Sequence, residues 1–118
     1  MGLQNGRLRK CPDSPNCVCS QDEDAAHCIE PLRFTDEPTV AWNRLIELVR
    51  RQSRVRIVEC NEGYLHAEFT TKWFRFVDDV EFLLDASGSL IHVRSASRIG
   101  YSDLGLNRRR IEAIRAQL

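Results

Sequence analysis

The sequence predicts a single α+β domain in which a four-stranded antiparallel sheet, made of two hairpins, is preceded by one helix and followed by another. Three observations predict this fold: a helical apolar stripe after Pro38, alternating segments across residues 54–97, and a second helical stripe beginning near Asp103. With 118 residues, the chain has the length of one domain with a modest core. We divide it into a cysteine-containing loop segment, 1–34, and an α-β-β-β-β-α body, 35–118.

The loop segment contains four of the five cysteines of the chain. Pro12 and Pro15 restrict the backbone between Cys11 and Cys17, which predicts a stiff turn. An odd cysteine count argues against a complete disulfide framework, and the spacing does not match the common zinc patterns. The alternatives left open are structural thiols, a Cys11–Cys17 disulfide under oxidising conditions, and a metal site using His27. We predict no metal and no cofactor.

The first helix is predicted at about 37–52. Asp36 and Glu37 precede Pro38, and acidic residues followed by proline are typical of a helix N-terminus. Trp42 is expected to anchor the core rather than to contact a ligand. The apolar face consists of Ala41, Trp42, Leu45, Ile46, Leu48 and Val49.

Residues 54–60 and 64–72 alternate between polar and apolar side chains, which predicts the first hairpin. A three-residue loop would join them, with Gly63 in the left-handed conformation. The expected pairs are Val55 with Phe69, Ile57 with Ala67, and Arg56 with Glu68.

Residues 79–85 and 90–97 form the second predicted hairpin, joined through the turn residues 86–89. Glu81 then faces Arg94 across the strands, and an exposed pair of this kind contributes only about 0.2–1 kcal/mol. This cross-strand pairing would give Arg94 a structural role that requires no ligand. The expected pairs are Leu84 with Ile91, Phe82 with Val93, Val80 with Ser95, and Glu81 with Arg94.

Three aromatic residues occur within four positions between the two hairpins, at Trp73, Phe74 and Phe76. One interpretation is that they close the sheet edge or cover the end of the core. The other is that they form an apolar wall for a ligand or partner.

The last helix is predicted at about 103–117, with Ser102 or Asp103 as its cap. Asn107 and Arg108 fall on the stripe occupied by Ile111, so both are expected to be at least partly buried. A buried arginine needs a carboxylate or several carbonyls. Cations in the first half of a helix oppose its dipole, which favours an anion completing the site. Carboxylates within reach are those of Asp78, Asp79 and Asp103.

The strand-to-helix junction is therefore the predicted site. A non-catalytic binding module would recognise a small anion, a lipid head group or a partner's carboxylate there, beside the aromatic segment. The alternatives are a structural polar network with a protein-interaction role, and an enzyme of unknown reaction using cysteine, histidine and aspartate residues. The predicted ligand-binding residues are Arg94, Ser95, Ser97, Arg98, Tyr101, Asp103, Asn107, Arg108 and Asp79. The candidates for catalysis are Cys17, His66, His92, Ser97, Tyr101, Asp79 and Asp103.

Composition limits the partners. A formal net charge of zero and a pI near 6.8 do not support general attraction to nucleic acid or anionic lipid. The sequence contains no apolar run of about 20 residues, so we predict no membrane span. No apolar segment follows the basic N-terminus, which predicts no signal peptide and a cytoplasmic location.

Three motifs together resemble the family known as domain of unknown function 1499. They are CPDSPNCV from Cys11, DDVEF from Asp78, and RSASRIGYSDLGLNR from Arg94. The resemblance covers nearly the whole chain, and the last motif is long and specific. Cys19 stands where the family more often has serine. The family occurs in bacteria and photosynthetic eukaryotes and has no assigned activity, so the resemblance implies membership without implying a function.

Overall fold

Two helices and six strands make up the fold in the computed structural model, which describes residues 2–100 and 105–118. All strand pairs in the sheet are antiparallel, in the order β1-β6-β5-β4-β3, with β2 also pairing with β6. In chain order the elements are β1 (Cys17–Cys19), β2 (Leu32–Arg33), α1 (Pro38–Arg50), β3 (Val55–Cys60), β4 (Tyr64–Thr70), β5 (Val77–Asp85), β6 (Leu90–Ser97) and α2 (Leu106–Gln117).

The α+β class is confirmed, but the predicted number of four strands is wrong. The two extra strands, β1 and β2, come from the segment predicted to be a loop, and both pair with β6. The two hairpins alone would leave the outer edge of β6 with unpaired backbone groups, and the short strands satisfy them. Strands of three and two residues are too short to produce a visible alternation in the sequence.

The second hairpin has the predicted register throughout, including Glu81 opposite Arg94. The first hairpin has the predicted register as far as Ile57, after which a bulge shifts the pairing by one residue. The expected left-handed conformation of Gly63 is wrong. Instead, the Asn61 side-chain oxygen accepts hydrogen bonds from the backbone N–H groups of Gly63 and Tyr64 and holds the turn.

Both helices pack on one face of the sheet and enclose the main core. The Trp42 side chain is buried there, and its indole N–H donates to the Asn61 carbonyl at 3.0 Å. The apolar side chains of alternate strand positions meet the helices because successive residues point to opposite faces. The buried apolar members are Val18, Ile29, Leu32, Phe34, Ala41, Trp42, Leu45, Leu48, Val49, Leu65, Ala67, Phe69, Val80, Phe82, Ile91, Val93, Ile111 and Ile114.

The other face of the sheet carries most of the polar strand residues, and residues 2–11 cover part of it. A small apolar cluster forms beneath this cover, where Leu8 packs with Cys19 and Tyr64. The sheet therefore has a helix-packed face and an outer face, and each carries polar groups that must be satisfied.

The helices lie close to the predicted positions, but α1 ends two residues earlier than expected and α2 begins at Leu106, three residues later than expected. The predicted caps of the last helix, Ser102 and Asp103, lie outside the described residues. Within residues 2–100 and 105–118, the structure contains no helix long and apolar enough to cross a membrane.

Candidate functional site

The junction cluster lies on the helix-packed face, where β6 leads toward α2, and consists of Asp78, Ser95, Ser97, Asn107 and Arg110. Its centre is the fully buried carboxamide of Asn107. The Asn107 oxygen accepts from Ser95 Oγ at 2.5 Å and from Arg110 at 2.8 Å. Its nitrogen donates to Ser97 Oγ at 3.0 Å. The predicted burial of Asn107 is confirmed.

Arg110 is the arginine that enters this cluster. Its Nη2 donates to the Asp78 carboxylate at 2.6 Å, and its guanidinium carbon lies 5.1 Å from the centre of the Phe69 ring. Asp78 is only 1% exposed, so the ion pair is screened from water. The contact fixes the start of α2 against β5.

Arg108, predicted to fill this role, does not. Its side chain is exposed, and its Nη2 lies 3.5 Å from the Ala26 carbonyl, at the limit of a hydrogen bond. Four residues separate Arg110 from the buried Ile114, whereas the same step from Arg108 leads to the exposed Glu112. Helical periodicity therefore favours position 110 for the inner face.

Asn16 was missed by the sequence interpretation, although it links the cysteine segment to the junction. It is buried, and its backbone carbonyl accepts from the Asn107 side chain at 3.1 Å and from the Ser97 amide at 3.0 Å. Its side-chain nitrogen donates to the Gly100 carbonyl at 2.6 Å. The only signal was its position between Pro15 and Cys17 in the first family motif.

A second polar group, the outer-face ladder, consists of Arg56, His66, Glu68, Asp79 and Arg98. The Arg98 guanidinium donates hydrogen bonds to both carboxylate oxygens of Asp79, at 2.8 and 2.9 Å, and to the Glu68 carboxylate at 2.6 Å. Asp79 contacts His66 Nε2 at 2.7 Å, and Glu68 accepts from Arg56 at 3.2 Å. The two carboxylates, Glu68 on β4 and Asp79 on β5, are cross-strand neighbours, and Arg98, which follows β6, binds both of them.

These contacts favour the charged forms of Asp79 and Arg98. Burial raises the pKa of Asp79, but the hydrogen bonds from Arg98 and His66 outweigh it, so the pKa lies below its ordinary value. The same carboxylates raise the pKa of Arg98 further above its already high value. The Arg98 side chain is 45% exposed, yet its Nε and Nη2 are engaged by carboxylates.

Glu81 and Arg94 pair as predicted, and both side chains are buried, so the magnitude given for an exposed pair does not apply. Glu81 is 0% exposed and accepts from the Tyr64 hydroxyl and from the Gly2 amide at 3.1 Å. Arg94 Nη1 lies 3.6 Å from the other Glu81 oxygen, and its Nε donates to the Arg9 carbonyl at 2.9 Å. Burial and the Glu81 contact raise the pKa of Tyr64. Residues 2–11 create this environment, which the strand pattern alone did not reveal.

Cys11 and Cys17 form a disulfide, with their Cα atoms 5.7 Å apart. The bonded Cys17 sulfur is therefore not available as a nucleophile. His27 links the disulfide loop to a later part of the chain. Its Nε2 contacts the carbonyl of Ser14, within the loop, at 2.7 Å, and its Nδ1 contacts the Asp24 carboxylate at 2.9 Å. Within the described part of the chain, no group of three or more metal-ligating side chains is found.

The two candidate catalytic histidines lie in different networks. His66 contacts Asp79, which is already held by Arg98. His92 Nδ1 contacts Ser20 Oγ at 3.1 Å, but that hydroxyl also accepts the Val93 amide and ties the end of β1 to β6. Burial lowers the pKa of His92. Two other candidates, Tyr101 and Asp103, lie outside the described residues.

A cleft of about 390 Å³ opens between the segment that leads into β3, the end of β4 and α2. Its wall is partly apolar, and its rim carries Arg54 and Lys72. The lining residues are Gln52, Ser53, Arg54, Phe69, Thr70, Thr71, Lys72, Leu106, Arg110, Ala113 and Ile114.

Beside the cleft, residues 72–76 form the aromatic loop between β4 and β5. The exposed fractions are 80% for Trp73, 77% for Phe74 and 42% for Phe76. The prediction that these aromatics close the sheet edge or cover the core is therefore wrong for Trp73 and Phe74. Among the described residues, none of those predicted for the site lies in this loop or lines the cleft.

Comparisons with known proteins bear on membership alone. No curated protein and no solved structure matches the chain. Residues 7–118 match the family described as "Protein of unknown function (DUF1499)". The match includes the junction cluster, the outer-face ladder, the cleft and the aromatic loop, and the chain belongs to this family.

Proposed function

We propose that this protein is a non-catalytic binding module that takes a small anion with an apolar body in the cleft beside α2. The observation that carries the proposal is the pairing of an apolar wall with the cations Arg54 and Lys72 at one opening. Ligand pockets commonly combine an apolar lining with a few polar groups that orient the ligand. The proposed ligand site is therefore the cleft, and not the neighbouring junction that was predicted from the sequence.

The charges near the strand-to-helix junction favour the cleft as the ligand site, because the arginines there already form ion pairs with carboxylates of the protein. Arg98 binds Asp79 and Glu68, Arg110 binds Asp78, and Arg94 lies against Glu81. An incoming anion would have to displace a bound carboxylate and leave it desolvated, which is costly. We therefore propose that the junction cluster and the outer-face ladder are architectural.

The cleft rim differs in its electrostatics. The Arg54 Nε donates to the Thr70 carbonyl at 3.2 Å, and Lys72 Nζ lies 5.1 Å from the Trp73 ring centre. Among the lining residues that the structure describes there is no Asp or Glu, and the Arg110 guanidinium is paired with the Asp78 carboxylate. A bound anion would thus meet two cations, Arg54 and Lys72, with no carboxylate beside them among the described lining residues.

Phenyl phosphate is a suitable probe because it joins a charged head to an apolar ring. At about ten times its Kd it should stabilise the protein by ~1.4 kcal/mol, visible as a rise in Tm. Inorganic phosphate tests the charge alone, and benzyl alcohol tests the ring alone. Equal protection by inorganic phosphate would refute the apolar part of the proposal, and no protection by any probe would refute the site.

Arg54→Asn is the informative variant, because asparagine tolerates the left-handed backbone of this position, where φ is 56°. It should reduce protection by phenyl phosphate while leaving the Tm of the free protein nearly unchanged. Arg33→Asn is the matched control, since Arg33 is exposed on β2 and does not line the cleft. Equal protection of both variants would show that the anion binds elsewhere.

A further inference from the structure

We infer that the aromatic loop docks the domain onto the surface of an anionic lipid bilayer. The inference goes beyond the cleft proposal, because it rests on the exposed aromatic rings, which do not line the cleft, and the two surfaces share Lys72. Trp73 and Phe74 are the most exposed large apolar residues among those described. Together with Phe76 they form a contiguous apolar tip, and exposed apolar patches of this kind mark interaction surfaces.

The loop presents these rings outward through an ordered base. The Thr71 amide donates to the Phe76 carbonyl at 2.8 Å, and the Phe76 amide donates back to Thr71 Oγ1 at 2.9 Å. The Phe74 and Phe76 rings stack with their centres 5.6 Å apart. The turn between them is completed by Arg75, whose φ is 59°. The tip is therefore a closed protrusion that projects its rings away from the sheet.

Charge complementarity selects an anionic bilayer as the occupant. Lys72 and Arg75 flank the rings, and residues 71–77 contain no Asp or Glu. The nearest acidic residues along the chain, Glu68 and Asp78, are each bound by an arginine. The whole chain has a formal net charge of zero, so the positive field is local to this end of the molecule.

Shape favours a bilayer over a protein partner. A stable protein interface buries about 800 Å² on each side, usually over 20–30 residues. The aromatic loop is instead a narrow tip that combines one Trp and two Phe rings with one Lys and one Arg. Trp rings favour the headgroup level of a membrane, and basic residues there attract anionic lipid. The tip therefore matches the interfacial zone of a bilayer.

Vesicle sedimentation of the full chain tests the inference. Wild type should sediment with vesicles of phosphatidylcholine containing about 30% phosphatidylserine, and much less with pure phosphatidylcholine. Added salt should weaken the binding because part of it is electrostatic. The double variant Trp73→Ser/Phe74→Ser should lower the partition coefficient at least about tenfold. Its Tm should stay close to wild type, since both side chains are exposed.

The matched control is Val40→Ser/Val58→Ser, which removes two exposed apolar side chains away from the loop. It should bind vesicles like wild type. Tryptophan fluorescence gives an independent signal, because Trp42 is buried and Trp73 is exposed. Anionic vesicles should shift the emission to shorter wavelength in wild type, whereas Trp73→Phe should keep sedimentation and lose the shift.

Equal sedimentation of the loop variant and wild type, or absence of binding to anionic vesicles, would overturn the inference. A loop-dependent dimer of the protein without vesicle binding would assign the loop to protein contact and would also overturn it. Protection by phenyl phosphate is measured without lipid, and the aromatic rings do not line the cleft. Failure of the membrane inference is therefore distinguishable from failure of the cleft proposal.

Discussion

Asp78 and Asp79 are adjacent in the chain, yet their carboxylates neutralise arginines on opposite faces of the sheet. Asp78 binds Arg110 of α2 at 2.6 Å on the helix-packed face. Asp79 binds Arg98 at 2.8 Å on the outer face. The alternation of side chains along a strand produces this division. The pair thus joins the start of α2 to the residues that follow β6, through a single strand.

The first prediction contrasts two arginines of α2. Arg110→Met should destabilise the protein by about 3 kcal/mol, because it leaves the buried Asp78 carboxylate without its charged partner. Arg108→Met should cost less than about 0.5 kcal/mol, because its side chain is exposed. Urea unfolding of both variants measures the difference. Similar losses at the two positions would contradict the assigned orientation of the helix.

The second prediction concerns the thiols. Two cysteines, Cys28 and Cys60, are exposed and should react rapidly with a thiol reagent in the folded protein. Unfolding without reductant should expose Cys19 as well, for a total of three, and reduction should raise the count to all five. Burial also raises the pKa of the Cys19 thiol, which slows its reaction before unfolding. Five reactive thiols in unfolded, unreduced protein would exclude the disulfide.

The third prediction is a pH dependence due to His27. The hydrogen bond to the Ser14 carbonyl, aided by Asp24, outweighs burial and raises the pKa of His27 above its ordinary value. The stabilisation of the folded protein by protonated His27 is therefore complete below about pH 6.5, the pKa of histidine in the unfolded chain. It is lost as the pH rises through the higher pKa of the folded state. Subtracting the unfolding free energy of His27→Gln isolates this effect, because the opposite contribution of His92 occurs in both proteins. A flat difference from pH 6 to about pH 8.5 would disprove it.

The fourth prediction tests the covered polar pair. Tyr64→Phe should cost about 2 kcal/mol, because the Tyr64 hydroxyl donates to the fully buried Glu81 carboxylate. Adding Glu81→Leu to that variant should increase the loss, because the buried Arg94 guanidinium then loses the Glu81 carboxylate opposite it. Thermal or urea unfolding measures both. A loss below about 0.5 kcal/mol for Tyr64→Phe would mean that water reaches Glu81 in solution.

Much of the fold could be predicted because the hairpins and helices have strong periodicity. The pairing of Glu81 with Arg94 followed directly from the alternation and the turn at residues 86–89. The short strand β1 could not be predicted, because three residues contain too little pattern. The bulge after Ile57 was also invisible, since its effect depends on how the Asn61 turn closes.

The site was predictable in composition but less so in orientation. Asn107 was correctly expected to be buried, whereas Arg108 and Arg110 were distinguishable only by a small difference in helical phase. The surroundings of Glu81 depend on residues 2–11, which lie far away in sequence and show no strand pattern. Contacts between distant segments of the chain therefore explain most of the differences.

The bulge in β3 has a consequence for how separate copies of the protein behave at high concentration. Since β3 is a terminal strand of the sheet, a neighbouring chain could add a strand to it and begin a fibril. The break in pairing between Ile57 and Glu59 interrupts the regular backbone ladder there, and the charges of Arg56 and Glu59 flank it. An added strand could not keep one register past this point. The irregularity therefore protects the protein against edge-to-edge aggregation.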